Sequence, residues 1–290
     1  MGNSIDVVGY LGRLGLRELA GAPPSAAGLS ALHRAHAERV PYEGLAVWLG
    51  ETTTVEPAES VERILRGRGG YCFHLNGAFA ALLDALGYAV TRHFGGVQGN
   101  ATRPAGANGN HVVLTVAGLP DEDAPDGEWL VDLGMGDGLH APLPLVAGDH
   151  RQGPFRYALR TSAAEPGGWR FDHDPRGSFL GMDFRAEAVG MPAFAEMHRH
   201  LTTSPESGFV QVLVVARRDA GGADILRGRT LTRIGEDSRR TTVESADDYF
   251  AVLAELFGIP LGELDSSGRA ALWRRVSAAH DEWRRQQDAA

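Results

Sequence analysis

The chain holds one cysteine, Cys72, in the stretch RGGYCFHLN. It stands one residue past Gly69-Gly70, after Tyr71, where a helical pattern begins. Unpaired N–H groups and the helix dipole favour an anion there, which lowers a thiol pKa. A thiol still needs a base to act as a nucleophile. His74 lies two residues on, a spacing that turns it away from Cys72 on a helix. His111 opens a predicted strand, HVVLTV, and Asp132 closes the next, WLVDLG. If those strands pair, Asp132 can orient the imidazole and His111 can take the thiol proton, which is the nucleophile, base and orienter arrangement of covalent catalysis. Spacing alone leaves open the plainer reading of Cys72 as a small buried apolar residue. Likewise, His111 could be a satisfied core histidine and Asp132 a turn cap. His33 and His36, three apart, lack a third metal ligand at suitable spacing, so a packed helix face is favoured over a metal pair.

These residues need elements to position them. Apolar residues three and four apart in IDVVGYLGRLGL, SAAGLSALHRAHAERV and AESVERILRG predict helices, the second stopped at Pro41. FHLNGAFAALLDALG predicts a further helix closed by Gly87. From Tyr88 the period becomes that of strands: YAVTRHFGGV, HVVLTVAGL and WLVDLGMG, then a hairpin of FRYALRTSA and GWRFDHDP. A short helix, PAFAEMHRHL, precedes a strand, GFVQVLVVAR; ILRGRTLTRIG and RRTTVES read as antiparallel strands. ADDYFAVLAELFG and SGRAALWRRVSAAHDEWRRQQ read as closing helices, the last packing Trp273 and Val276. Trp129 and Phe94 are expected in the core, and HRH (His198–His200) and DHD (Asp172–Asp174) on the surface. The expected class is α+β.

Across 290 residues, a 43% hydrophobic and 22% charged composition is that of a soluble globular protein. A formal charge of −9 argues against sequence-independent binding to nucleic acid or an anionic membrane. No apolar run reaches the roughly 20 residues a membrane span needs, and MGNSIDVVGYLGRLGL lacks the pattern of a secretory signal. A cytoplasmic protein is expected. A homo-oligomer is left open. Lysine is absent, so all basic charge is arginine.

The chain resembles the arylamine N-acetyltransferases over nearly its full length. The resemblance runs through YLGRLGL, LHRAHAERVPYEGLAVWLG and RGGYCFHLNG, then NHVVLTV, WLVDLGMGDG, APLPL, TSPESGFVQVLVVARR and LRGRTLTRIG. It implies Cys72 as acyl-accepting nucleophile, His111 as base and Asp132 as its orienter. It implies a helical domain over residues 1–87, a β-barrel domain over 88–190 and an α/β lid over 191–290, with a cysteine-protease-like catalytic core. The implied reaction is ping-pong transfer of acetyl from acetyl-CoA, as co-substrate, to an arylamine, hydrazine or hydroxylamine nitrogen, with no metal. Gly134, Gly136, Gly138, Thr203, Ser204 and Ser207 match cofactor-cleft segments, and Tyr71, Met135 and Phe209 the substrate pocket. Three positions depart from the family pattern. His74 replaces a Glu or Gln type beside Arg68, unsettling the electrostatics near the nucleophile; Met135 replaces a Phe and Gly44 an Asn. Two rivals remain: an ansamycin-type amide synthase taking a carrier-bound acyl group, and a non-catalytic homologue. A papain-type peptidase is disfavoured, because its histidine lies much further downstream than His111 does.

Overall fold

The computed structural model describes residues 5–288; the first four residues, part of the stretch read for a signal, lie outside it. Helix α1 (Val7–Leu14) starts where the Asp6 carboxylate accepts from Gly9 N at 2.8 Å, and ends at Gly15 with φ 67°. Helix α2 (Ala26–Arg39) starts where Ser25 Oγ accepts from Gly28 N at 3.1 Å, and ends before Pro41. A two-residue strand, β1 (Tyr42–Glu43), leads to α3 (Leu45–Leu49) and α4 (Pro57–Leu65), which has proline in its first turn. Helix α5 (Cys72–Ala85) is apolar on nearly every side, and is therefore enclosed by other elements rather than facing water. Its Phe73, Phe79 and Leu83 share a core with Leu11, Leu29 and Leu32 of α1 and α2 and with Val112, Leu114 and Val116.

Eight strands follow: β2 (Ala89–Gln98), β3 (His111–Ala117), β4 (Trp129–Val131), β5 (Leu143–Pro144), β6 (Gly148–Gln152), β7 (Phe155–Thr161), β8 (Trp169–Asp172) and β9 (Gly181–Ala188). They form one antiparallel sheet in the order β5-β4-β3-β2-β9-β8-β7-β6. Its edge strands β5 and β6 are neighbours in sequence, which gives a nearly closed barrel. Its interior is filled by Val113, Leu130, Phe155, Phe171, Met182 and Phe184. Helices α6 (Ala195–Thr203) and α7 (Gly208–Gln211) lead to β10 (Val214–Asp219), β11 (Gly222–Arg227), β12 (Thr230–Ile234) and β13 (Arg239–Thr242), then α8 (Ala246–Ala251) and α9 (Ser266–Asp288). The second sheet is antiparallel, β1-β10-β11-β12-β13. Val215, Leu226, Tyr249, Leu253, Phe257 and Val276 pack beneath it, with Trp273 against them as expected.

The α+β expectation holds, with local corrections. GFVQ is helix α7, and the strand begins at Val214. ILRGRTLTRIG is a hairpin rather than one strand: Arg227 pairs with Thr230 across Gly228, whose φ is 56°. Strands β6 and β9, unmarked by clear alternation, complete the barrel. Strand β1, from the first expected segment, forms the edge of a sheet whose other strands lie in the third, with Tyr42 opposite Ala216.

Candidate active site

Cys72 is the first residue of α5, 3% exposed, with its sulfur directed at Asn110 O at 3.7 Å. His111 begins β3 opposite Gly95 of β2, and Asp132 follows the last residue of β4. Because β3 and β4 pair, the two side chains meet: His111 Nε2 donates to Asp132 Oδ2 at 2.6 Å, both almost fully buried. Cys72 lies close enough to the imidazole to influence its charge, and with Nε2 bonded to Asp132 the free ring nitrogen is Nδ1. Burial lowers the proton affinity of His111, but the charges of Asp132 and Cys72 more than offset it, and its pKa is raised to about 10. The expected triad is assembled in space.

A second layer, which the sequence reading did not assign, holds it. Asn76, one helical turn beyond Cys72, donates from Nδ2 to Asp132 Oδ1 at 3.0 Å and to Val112 O at 2.7 Å, and accepts from Leu133 N at 2.8 Å. Gly134 N donates to Asp132 Oδ1 at 2.8 Å. His33 accepts from Asp132 N at Nε2, 3.3 Å, and donates from Nδ1 to His140 O at 3.1 Å. Burial lowers its pKa to about 4, so the ring is neutral and its tautomer fixed. His36 bonds the Tyr10 hydroxyl at 2.8 Å, so both histidines belong to a packed helix face. Among the described residues no group of three acidic, histidine or cysteine side chains could hold a metal ion.

The structure sorts the remaining expected residues. A Cβ on Gly134 would lie 2.5 Å from Cys72 Cα, so this glycine permits close approach to the nucleophile itself. Gly136, with φ 71°, lies against Ala216 and Tyr42. Gly138 is interior, its carbonyl bonded by Tyr157 Oη at 2.7 Å and Arg218 Nε at 3.2 Å. Met135 is buried beside Gly138. Thr203 and Ser204 line an open cleft of about 560 Å³ with Phe94, Gly109 and Met197, so Phe94 is not wholly core as expected. Trp129 is, with Nε1 bonded to Leu119 O at 2.9 Å.

Ser207 is bonded within the chain. Its buried hydroxyl donates to Leu201 O at 2.6 Å and accepts from Phe209 N at 3.2 Å, so it caps α7. Tyr71 and Phe209 pack with their rings tilted by 38°, 4.6 Å between centroids. Two surface assignments fail. His198 is buried, linking the Tyr71 hydroxyl (2.5 Å) to Thr53 O (2.6 Å), and His173 is buried between Asp174 O (3.0 Å) and Asp137 O (3.2 Å).

His74 is a structural residue inside the protein. Its Nδ1 accepts from Tyr71 N at 3.4 Å, closing a reciprocal cap at the start of α5. Burial, then the charges of Arg63 and His198, lower its pKa to about 3. Arg68 takes its carboxylates elsewhere, from Glu43 at 3.2 Å and Glu51 at 3.5 Å. His74 therefore adds no charge near the nucleophile.

A family model described as N-acetyltransferase matches residues 26–265. The chain is 32% identical over 283 residues to the arylamine N-acetyltransferase of Mycolicibacterium smegmatis, covering 90% of this chain and 94% of that one. Over 138 residues it is 32% identical to the proansamycin X synthase of Amycolatopsis mediterranei, covering 46% of this chain and 49% of that one. Its fold matches the arylamine N-acetyltransferase of Mycobacterium marinum solved in complex with CoA, with a TM-score of 0.82 and 25% identity, covering 94% and 99% of the two chains. With the family model spanning most of its length and a buried Cys-His-Asp arrangement in place, the chain belongs to the arylamine N-acetyltransferase family.

Proposed function

We propose that this enzyme transfers an acetyl group from acetyl-CoA to an arylamine, hydrazine or hydroxylamine nitrogen through a thioester on Cys72. The observation that carries the reading is the buried 2.6 Å His111–Asp132 bond beside the single thiol. His111 takes the Cys72 proton, and the sulfur attacks the carbonyl carbon of the donor. Of the first-turn amides of α5, that of His74 is bonded to Tyr71 O, and those of Cys72 and Phe73 are suited to the oxyanion. Collapse breaks the carbon–sulfur bond to CoA, and His111 returns the proton to the departing thiolate. The amine nitrogen then attacks the Cys72 thioester, His111 accepts a proton from it, and Cys72 leaves as the thiolate. Asp132 keeps the ring oriented and stabilises its charged form throughout. A thiol nucleophile requires a reducing setting, which fits the expected cytoplasmic location.

Incubation with acetyl-CoA should give an acetyl adduct on Cys72 by intact mass, lost when an arylamine is added. An unmodified thiol with no release of CoA overturns the reading, as does full activity in Cys72→Ser. The partial likeness to a proansamycin X synthase supports a second reading, amide synthesis from a carrier-bound acyl group. An adduct formed only from a carrier thioester selects it.

A further inference from the structure

Helix α6 has two faces. Glu196, Met197, His200 and Thr203, spaced at three and four, line the open cleft of about 560 Å³. Phe94, Asn108 and Gly109 line the same cleft, and the next residue, Asn110, gives the carbonyl at which the Cys72 sulfur is directed. His198 lies two residues from both Glu196 and His200, which puts it about 200° around the helix, facing away from the cleft. It is buried, while Glu196, Arg199 and His200 around it are exposed.

The His198 ring is fixed at both nitrogens. Nε2 lies 2.6 Å from Thr53 O, which only accepts, so Nε2 carries the proton. Nδ1 therefore accepts from the Tyr71 hydroxyl at 2.5 Å. Burial, then the charge of Cys72, raise the Tyr71 pKa above its ordinary value, which keeps that hydroxyl a donor. Tyr71 caps α5 one residue before the nucleophile, and its N–H is already bonded to His74. Its ring centroid lies 4.6 Å from that of His74 and 4.6 Å from that of Phe209. The residue beside Cys72 is thus held at its backbone and its ring, and its hydroxyl ties it to α6.

We propose that His198 is a positioning residue for the amine: acting through Tyr71, it fixes the distance from the cleft wall to Cys72 and so selects which acceptors reach the thioester. The assignment rests on the acetyl-transfer reading of Cys72 and names a determinant of its acceptor choice. An acceptor with a ring rests against Met197 and Phe94, and a shift of about 1 Å in that wall misaligns its nitrogen. Hydrazine has no ring to rest there and attacks the thioester wherever α6 stands. His198→Leu fills the space but accepts no hydrogen bond, whereas His198→Asn keeps an acceptor near the Nδ1 position.

Acetyl-Cys72 made with 4-nitrophenyl acetate is followed by intact mass as it is consumed by aniline or by hydrazine. His198→Leu should raise the half-saturating aniline concentration about tenfold, the effect of one lost hydrogen bond. Its hydrazine rate and its Cys72 acetylation should stay within about twofold of wild type. His198→Asn should recover most of the aniline effect. Tyr71→Phe, which removes only the hydroxyl, should match His198→Leu, and the double variant should lose no more than either alone. Tyr71→Phe also carries the test if His198→Leu does not fold. Equal losses with aniline and hydrazine, an unchanged aniline response, an Asn variant as impaired as the Leu one, or additive losses in the double variant overturn the proposal. A wild-type Cys72 that takes no acetyl group defeats the acyl-transfer reading. Acetylation of Cys72 with an unselective loss in the variants defeats only the role of His198.

Discussion

Gly134→Ala would put a methyl carbon 2.5 Å from Cys72 Cα and 2.6 Å from Cys72 Cβ. Carbon atoms in contact sit roughly 3.5–4.0 Å apart, so about 1 Å must be found. The atoms in the way are the backbone and root of the nucleophile at the start of a buried helix, not the free end of a flexible side chain. Gly134 also donates its N–H to Asp132, so moving it away from Cys72 strains the carboxylate that orients His111. Overpacking of this kind costs about 1–3 kcal/mol, and a displacement of about 1 Å at a reacting atom costs about 10²-fold in rate. Urea unfolding measures the first, and the rate of Cys72 acetylation by intact mass the second. Gly44→Ala is the control. Its new methyl would meet nothing closer than 3.8 Å, and stability should stay within about 0.5 kcal/mol of wild type. A Gly134→Ala enzyme acetylated at the wild-type rate, with an unchanged midpoint, would refute the packing argument.

Asn76→Ala removes the acceptor of Leu133 N and a donor to Val112 O, leaving two buried backbone groups unpaired. At about 1–3 kcal/mol each the expected loss is about 2–6 kcal/mol by urea unfolding, with slower Cys72 acetylation; a loss below about 0.5 kcal/mol would contradict the bonding described. Stability should also form a dome in pH. The folded pKa of His111, about 10, is raised above the ordinary 6.5, so its contribution is complete below pH 6.5 and lost as pH climbs through 10. The folded pKa values of His33, about 4, and of His36 and His74, about 3, are depressed, so their contributions are complete above pH 6.5 and lost on acidification. Urea midpoints against pH test both limbs, and His111→Gln should flatten the alkaline one. An alkaline limb unchanged in that variant would remove His111 as its cause.

The triad was legible because each member stands at the start or end of an element whose period shows plainly: a helix at Cys72, strands at His111 and Asp132. What surrounds it was not. Asn76 sits inside the quoted motif, yet its role depends on Asp132 and Leu133, which no local pattern brings near. His198 lies in a polar run, HRH, that looks solvated, but the fold closes it over the Tyr71 hydroxyl. Ser207 was read as a ligand contact; that it also caps a short helix through the backbone depends on where that helix starts. Gly134 was read as making room for a cofactor, and the close approach it permits is to Cys72. Strands β6 and β9 escaped notice because barrel neighbours rather than alternation decide their pairing.

Tyr42 and Glu43 are only two residues long as a strand, yet they cover part of the open edge of β10, at Val215 and Ala216. Glu43 N also bonds Gly70 O, two residues before the nucleophile. Any fragment made by cutting the chain ahead of the second sheet would therefore carry a bare row of N–H and C=O groups on β10, inviting another chain to pair there. The enzyme cannot be dissected at the boundary its sequence suggests without turning a paired strand edge into a sticky one.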